Sequence, residues 1–238
     1  MDADLEFALS LADDADALTL ARFRAADLRV ETKADLTPVT DADRAVERAL
    51  RERVAAERPG EGVFGEEEGD AGAASSRARW IVDPIDGTRN FSRGIPVWAT
   101  LLALERDGEL VLGVVSAPAL ARRWWAARGT GAFANSERIG VSQVRTLADA
   151  SVSCSEAHDL ALLEPHVWHA RGLGDFWQHV LVAEGSLDAA VDVALALWDR
   201  AALEPIVEEA GGSVGAVNGQ FVTSNGLVHD AVAQCLNV

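Results

Sequence analysis

The stretch Trp80 to Phe91, WIVDPIDGTRNF, limits what this chain can fold into more than any other. Trp80, Ile81 and Val82 form an apolar run bounded by Pro and Gly, the signature of a buried strand that ends at Asp83 in a turn. An aspartate at the end of a buried strand is costly unless something neutralises it. Asp before Pro and Asp before Gly are each ordinary turn chemistry. Asp83 and Asp86 together, followed by Gly87 and Thr88, ask for more than a turn.

The rest of the chain has to supply a setting for that charge. With 238 residues, 49% of them hydrophobic and 25% charged, it is long enough for one large or two modest globular domains. No apolar run approaches the roughly 18 residues of a membrane span, and the N-terminus is acidic where a signal peptide would be basic, so the expected location is the cytoplasm with no membrane partner. A net charge of −17 argues against nucleic acid, whose phosphates are bound by basic surfaces. Cys154 and Cys235 fit no metal or redox spacing and are each expected as a buried, reduced thiol. Lys33 is the one lysine among 21 Lys and Arg residues, which hints at a role for it.

Residues 4–26 place Leu5, Ala8, Leu9, Ala12, Ala15 and Leu18 at the spacing of an amphipathic helix. A loop follows, then a second helix opened by a capping box of Thr40 and Asp43 and stopped at Arg58-Pro59-Gly60. From Gly62 to about Phe133 strand-like runs dominate, with Asp107-Gly108 as a hairpin turn, predicting a mainly antiparallel sheet. Beyond Ile139, strands alternate with helices across GDFWQHVLVAEGS and WDRAALEPIVEEAGG, and short strands close the chain. The expectation is an α/β layered fold. Residues 1–138 form an N-terminal α+β part whose antiparallel sheet carries most of the acidic site, and residues 139–238 form a C-terminal α/β part with a mixed sheet that completes it. The Gly/Ala/Ser tract at residues 69–76 is expected as a mobile surface loop.

Acidic residues recur where strands or loops end: Glu66 in GEEE, Asp83 and Asp86 in DPID, and Asp199 after Trp198. Carboxylates with no Cys or His constellation suit a hard cation, Mg²⁺ or Mn²⁺. Two such ions about 3.5 to 4 Å apart are a known device for in-line phosphoryl displacement. Gly87 and Thr88 open a short segment that, if helical, aims backbone N–H groups at an anion.

With these blocks in order, TPVTDADRAVE, GEEE, WIVDPIDGTRNF and WDRAALEPIVEEAGG, the chain resembles the Mg²⁺-dependent, Li⁺-sensitive phosphatases of the inositol monophosphatase type over nearly its full length. The resemblance implies an αβαβα sandwich that binds two or three Mg²⁺ ions through Glu66, Asp83, the Ile85 carbonyl, Asp86 and Asp199. It also implies that Thr88 and Asp43 polarise the water nucleophile with Glu66 in the catalytic set, that the Gly87 and Thr88 amides hold phosphate, and that Lys33 belongs to an active-site loop. Expected partners are a small phosphomonoester and a second copy of the chain, as a homodimer.

Blander readings exist for several of these residues. Asp43 also works as a helix cap, Asp199 as an N-cap of the last long helix, and Glu67 and Glu68 as solvated neighbours of Glu66. The five histidines have no ligand spacing and read as surface or packing residues. RGLGDFWQHVLVAEGSLD resembles the histidinol-phosphate phosphatase branch of that family, with Gly174-Asp175-Phe176 as the distinguishing feature. Histidinol phosphate carries an ammonium group beside its phosphate, and Asp175 and Asp192 are candidates to pair with it, with Arg171 as a further substrate contact. The alternatives are an inositol or other small sugar phosphate as substrate, and a non-catalytic regulatory protein that binds divalent cations.

Overall fold

The computed structural model describes residues 3–34, 36–71 and 77–237. The chain divides into two compact units, Met1–Arg123 with Leu197–Ala202, and Trp124–Ala196 with Leu203–Val238. No helix among the described residues is long and apolar enough to cross a membrane.

The first unit opens with α1 (Ala3–Arg22), the hairpin β1 (Val30–Thr32) and β2 (Pro38–Thr40), and α2 (Asp41–Glu57). Then come β3 (Gly62–Gly65), β4 (Gly69–Ala71), β5 (Ala78–Asp86), α3 (Thr88–Ser92), β6 (Ala99–Arg106) and β7 (Glu109–Ala117). Strands β5, β6 and β7 pair antiparallel, as expected, whereas β3 runs parallel to β5. Of the tract expected as a loop, Gly69–Ala71 form an edge strand on β3, and residues 72–76 lie outside the described residues. The Asp107-Gly108 turn has φ of 52° and 85°, the left-handed pair that a two-residue hairpin requires.

Helix α1 buries a different stripe from the one its spacing suggested. Phe7 and Leu11 join Leu5, Ala8, Ala12 and Ala15 in the core, while Leu9 is half-buried and Leu18 exposed. The stripe continues from Ala15 to Thr19, a step of four, because the Thr19 hydroxyl donates to Ala15 O at 2.7 Å and so enters the core satisfied. The capping box is present: Thr40 accepts from the Ala42 and Asp43 amides, and Asp43 accepts from the Thr40 amide.

The second unit contains β8 (Arg122–Ala127), β9 (Gly131–Ala134), β10 (Glu137–Arg138), β11 (Ser151–Cys154), α4 (Ala157–Leu163), β12 (His169–Arg171), α5 (Asp175–Ala183) and β13 (Ala189–Asp192). The one-turn helix α6 (Leu197–Arg200) belongs to the first unit, after which α7 (Leu203–Glu209), β14 (Ser213–Val217), β15 (Gln220–Ser224) and α8 (His229–Leu236) complete the second. Its five-stranded sheet, ordered β12-β11-β13-β15-β14, mixes parallel and antiparallel pairs as expected.

The division expected between residues 138 and 139 falls inside this unit. The β8–β9 hairpin is tied to α7, because the Gly129 and Gly131 amides both donate at 2.7 Å to the Glu209 carboxylate. Residues 197–202 join the first unit because the Trp198 ring packs on Phe64 of β3 at 5.4 Å and the Ala202 carbonyl lies so close to Gly113 of β7 that no Cβ fits there. The single helix expected across WDRAALEPIVEE is therefore two. Pro205 has no N–H for the Ala201 carbonyl and sits instead in the first turn of α7, where none is needed.

Candidate metal and phosphate site

Asp83 lies in β5 and not at its end, since the strand runs on to Asp86. Residues three apart on a regular strand point to opposite faces. Here Asp83 stands opposite Leu101 and Asp86 opposite Ala99, so β5 carries one extra residue, a β-bulge. That residue brings both carboxylates to one face. The bulge is held by the Ile85 amide donating to Asp83 Oδ1 at 2.9 Å and the buried Thr100 hydroxyl donating to Pro84 O at 2.8 Å. Pro84 suits the irregularity because it has no ladder N–H to lose.

Asp199, carried by α6, completes the group: one carboxylate oxygen from each of Asp83, Asp86 and Asp199 lies within 4.8 Å of the other two. Asp83 is 1% exposed, and burial, followed by the charges of Glu66, Asp86, Asp199 and Asp43, pushes its carboxyl well above the usual range. Such an arrangement of acidic oxygens fits a hard divalent cation, whose charge would offset the repulsion. Asp199 reads better as part of this group than as a cap, and the neighbouring Trp198 explains how its turn is anchored on β3.

Behind Asp86 the backbone turns through Gly87, at φ 83° and ψ 36°, into α3, whose N-terminus has no side-chain cap. Phe91 of α3 packs with Phe23, Trp98 and Ile85 in a buried aromatic cluster that fixes this turn. The Thr88 hydroxyl lies 2.9 Å from Ile85 O and 3.2 Å from Asp43 Oδ1. Asp43 is fully buried, and its Oδ2 accepts from the amide and hydroxyl of Thr40. Asp43 therefore caps α2 with one oxygen and meets Thr88 with the other. Burial raises its pKa, against the Thr40 hydrogen bonds and with the charge of Glu66.

Glu66 is not among the three clustered aspartates. Its Oε1 accepts from Lys33 Nζ at 2.7 Å, and Lys33 also bonds Glu67 at 2.6 Å. Desolvation opposes the charge of Lys33, but the two carboxylates outweigh it and its pKa is raised. Glu67 is not a solvated neighbour: its side chain is 7% exposed, and burial raises its pKa. Glu68, at 47%, is.

The residue that holds this acidic turn escaped the sequence reading. Glu47 is fully buried and accepts from the Glu67 amide at 2.8 Å, the Glu68 amide at 3.0 Å and two Arg51 nitrogens at 2.7 and 2.9 Å. Gly65 lies against the same carboxylate with no space for a Cβ. The available signal was spacing, since Glu47 follows Asp43 by one helical turn on α2. Glu47→Gln turns one of the two acceptor oxygens into an NH2 donor that faces a backbone amide or Arg51, and it is expected to cost about 1–3 kcal/mol. In thermal unfolding of the metal-free protein that corresponds to about 2–12 °C, and a Tm within about 1 °C of wild type would show that other contacts hold the turn.

The chain matches the Inositol monophosphatase family over residues 1–235. It belongs to the inositol monophosphatase family. It is 51% identical to the histidinol-phosphatase of Mycobacterium tuberculosis (strain ATCC 25618 / H37Rv), over 98% of each chain. The histidinol-phosphatase of Streptomyces coelicolor (strain ATCC BAA-471 / A3(2) / M145) is 46% identical over 98% of this chain and 97% of its own. Among solved structures, the Thermotoga maritima IMPase superposes with a TM-score of 0.91 at 33% identity, covering 99% of this chain and 97% of that one. The fold is thus the α/β layered one of this family, built from helices with mixed and antiparallel sheets.

The remaining expected site residues lie in the second unit of this family member. Arg171 ends β12 and is exposed. Asp175 opens α5 with φ 50° after Gly174 at φ 72°, so the chain enters the helix through two left-handed residues. Asp192 ends β13, almost fully buried, with Oδ1 accepting from the Val193 amide at 2.9 Å and Oδ2 from Gln178 Nε2 at 3.0 Å. Both cysteines are free; Cys154 is buried as expected, which pushes its thiol up to about 12, whereas Cys235 of α8 is only half-buried.

Proposed function

We propose that this protein is a Mg²⁺-dependent phosphomonoester hydrolase that converts histidinol phosphate and water to histidinol and phosphate, a step of histidine biosynthesis. The observation that carries the reading is its 51% identity, over 98% of both chains, to a histidinol-phosphatase, joined to the oxygen-only cluster of Asp83, Asp86 and Asp199. The two or three Mg²⁺ ions, or Mn²⁺ in their place, would be held by that cluster with Glu66 and the Ile85 carbonyl. Bound there, the metal supplies positive charge to the attacking and leaving oxygens of an in-line displacement.

The protein's own groups do the positioning. A hydroxyl has one hydrogen and two acceptor sites. The Thr88 hydrogen is directed to Ile85 O or Asp43 Oδ1, which leaves its lone pairs to accept from a water and aim it. The Asp43 oxygen facing Thr88 stands ready for the proton. Backbone N–H groups of Gly87 and Thr88, at the uncapped start of α3, donate to the phosphate oxygens. Lys33 engages Glu66 and Glu67 from the β1–β2 hairpin and so belongs to an active-site loop. An idle cation-binding protein has no use for the Thr88 and Asp43 pair.

Asp175 and Asp192 contact the ammonium group of the substrate, with Arg171 as a further substrate contact. A charge-assisted hydrogen bond of that kind is worth about 1.5–3 kcal/mol where water is excluded, which is roughly 10- to 150-fold in kcat/KM. Asp175→Asn is therefore expected to weaken turnover of histidinol phosphate by that factor and to leave inositol 1-phosphate nearly unaffected. Equal losses on both esters, or a wild-type preference for inositol 1-phosphate, would favour a sugar-phosphate substrate, the reading suggested by the likeness to the T. maritima IMPase. The same assay is expected to show inhibition by millimolar Li⁺, and an effect no larger than that of Na⁺ would contradict it.

A further inference from the structure

His179 of α5 has no place in the chemistry above, yet it is fully buried beside Asp192. Its Nδ1 lies 2.9 Å from the Thr223 hydroxyl of β15, and its ring packs edge-on against Phe221. Its Nε2 is buried without a hydrogen-bond partner and points at Asp192 Oδ2 from 3.7 Å. Among the described residues it is the one basic group within 4.0 Å of that carboxylate.

The tautomer follows from electrostatics. A bare Nε2 lone pair facing a carboxylate oxygen would be repulsive, and the Thr223 hydroxyl has a hydrogen to give to Nδ1. With Thr223 donating to Nδ1, Nε2 carries the hydrogen and directs it at Asp192. Gln178 donates to the same carboxylate oxygen and is itself fixed: its Oε1 accepts from Ser153 at 2.8 Å and its Nε2 donates to Ser155 at 2.9 Å. Two of the roughly four lone-pair sites of Asp192 are taken, by Gln178 and by the Val193 amide. His179 faces the second site on Oδ2, and the one left on Oδ1 remains for a cationic partner.

The geometry points to His179 as a positioning residue for substrate selection, one that holds Asp192 in the orientation that receives the ammonium group of an amine-bearing phosphate ester. This rests on the reading of Asp192 as the amine contact. A resting distance of 3.7 Å is short of a hydrogen bond by about half an ångström. Its effect falls on the orientation of the carboxylate, so it bears on amine-bearing esters and is indifferent to the phosphate.

The test measures KM and kcat for histidinol phosphate and inositol 1-phosphate under Mg²⁺ in wild type, His179→Phe, His179→Gln, Thr223→Val and Asp192→Asn. His179→Phe keeps the ring against Phe221 and removes the N–H. It is expected to raise the ratio of the two KM values, amine ester over amine-free ester, about five- to tenfold, the range of one modest hydrogen bond. His179→Gln, which retains a donor of similar reach, restores most of that ratio. Thr223→Val shifts it in the same direction by a smaller factor, and it carries the test alone should the Phe variant fail to fold. Equal losses on both esters in the Phe and Val variants, or a Gln variant no better than Phe, would overturn the proposal. If Asp192→Asn moves the ratio while the His179 and Thr223 variants do not, only the role of His179 is lost. If Asp192→Asn leaves the ratio unchanged, the reading of Asp192 itself fails.

Discussion

Asp83→Asn is expected to abolish turnover while making the metal-free protein more stable, two effects of opposite sign from one lost charge. Asn retains the oxygen that accepts from the Ile85 amide, so the bulge of β5 survives the change. What disappears is a buried negative charge surrounded by those of Glu66, Asp86, Asp199 and Asp43. Because burial and those neighbours raise the Asp83 pKa above its unfolded value, the folded chain binds this proton more tightly than the unfolded chain does. The group therefore weakens the metal-free fold at neutral pH, and that cost is lost as pH falls below the folded pKa towards the unfolded one. Asn removes the cost outright. With a cation present the balance is expected to invert, since the variant lacks the carboxylate proposed as the central ligand of the acidic group. Removing one electrostatic stabiliser from an active site typically costs about 10²–10³ in rate, and a central metal ligand is expected at or beyond the top of that range. Calorimetric titration with Mg²⁺ and thermal unfolding with and without it decide the matter. Wild-type affinity together with normal turnover would remove Asp83 from the site, and a metal-free variant less stable than wild type would show that its charge is compensated.

How much of this was legible beforehand depends on the range of the interactions involved. Local chemistry was readable: the Thr40–Asp43 cap, the Asp107-Gly108 turn and the glycine that turns the chain into α3 are decided within a few residues. The pairing of Asp83 with Asp86 was readable as a pattern, but the bulge that makes it work was not, because a bulge is defined by the partner strand. Misreadings came where packing chose between local options. Leu18 and Thr19 are both acceptable continuations of the α1 stripe, and only the returned hydrogen bond to Ala15 selects Thr19. The break between α6 and α7 was signalled by Pro205, whose meaning depends on whether Ala201 precedes it in the same helix. The strand β12, helix α4 and final helix α8 went unread, each too short to show a period. Glu47 and His179 were invisible for a different reason: nothing about a lone Glu on a helix or a lone His among apolar residues says that it is buried against another carboxylate or backbone turn.

Thr88→Ala is expected to lower kcat by about 10²- to 10⁴-fold with a much smaller change in KM, the signature of lost general-base positioning. Alanine leaves the α3 backbone intact, so the amides of residues 87 and 88, proposed to hold the phosphate, are unaltered and ground-state binding is expected to persist. The hydroxyl has no substitute. Its oxygen sits 3.2 Å from Asp43 and 2.9 Å from the Ile85 carbonyl, and without it a water has neither an acceptor to orient it nor a path to Asp43. Thr88→Ser separates this from a packing effect, because it restores the oxygen while omitting only a methyl group, and it is expected to recover most of kcat. Asp43 provides an internal control through its division of labour. Asp43→Asn should lower kcat as Thr88→Ala does and should also weaken the start of α2, where Oδ2 accepts from the amide and hydroxyl of Thr40. Thr88→Ala should leave that helix start untouched. If the proposed coupling is right, the double variant loses little more kcat than either single one, since the two groups act on one proton. Fully multiplicative losses would mean that Thr88 and Asp43 serve separate steps. A Thr88→Ala defect confined to KM would mean that the hydroxyl binds phosphate and that the water is positioned by other groups.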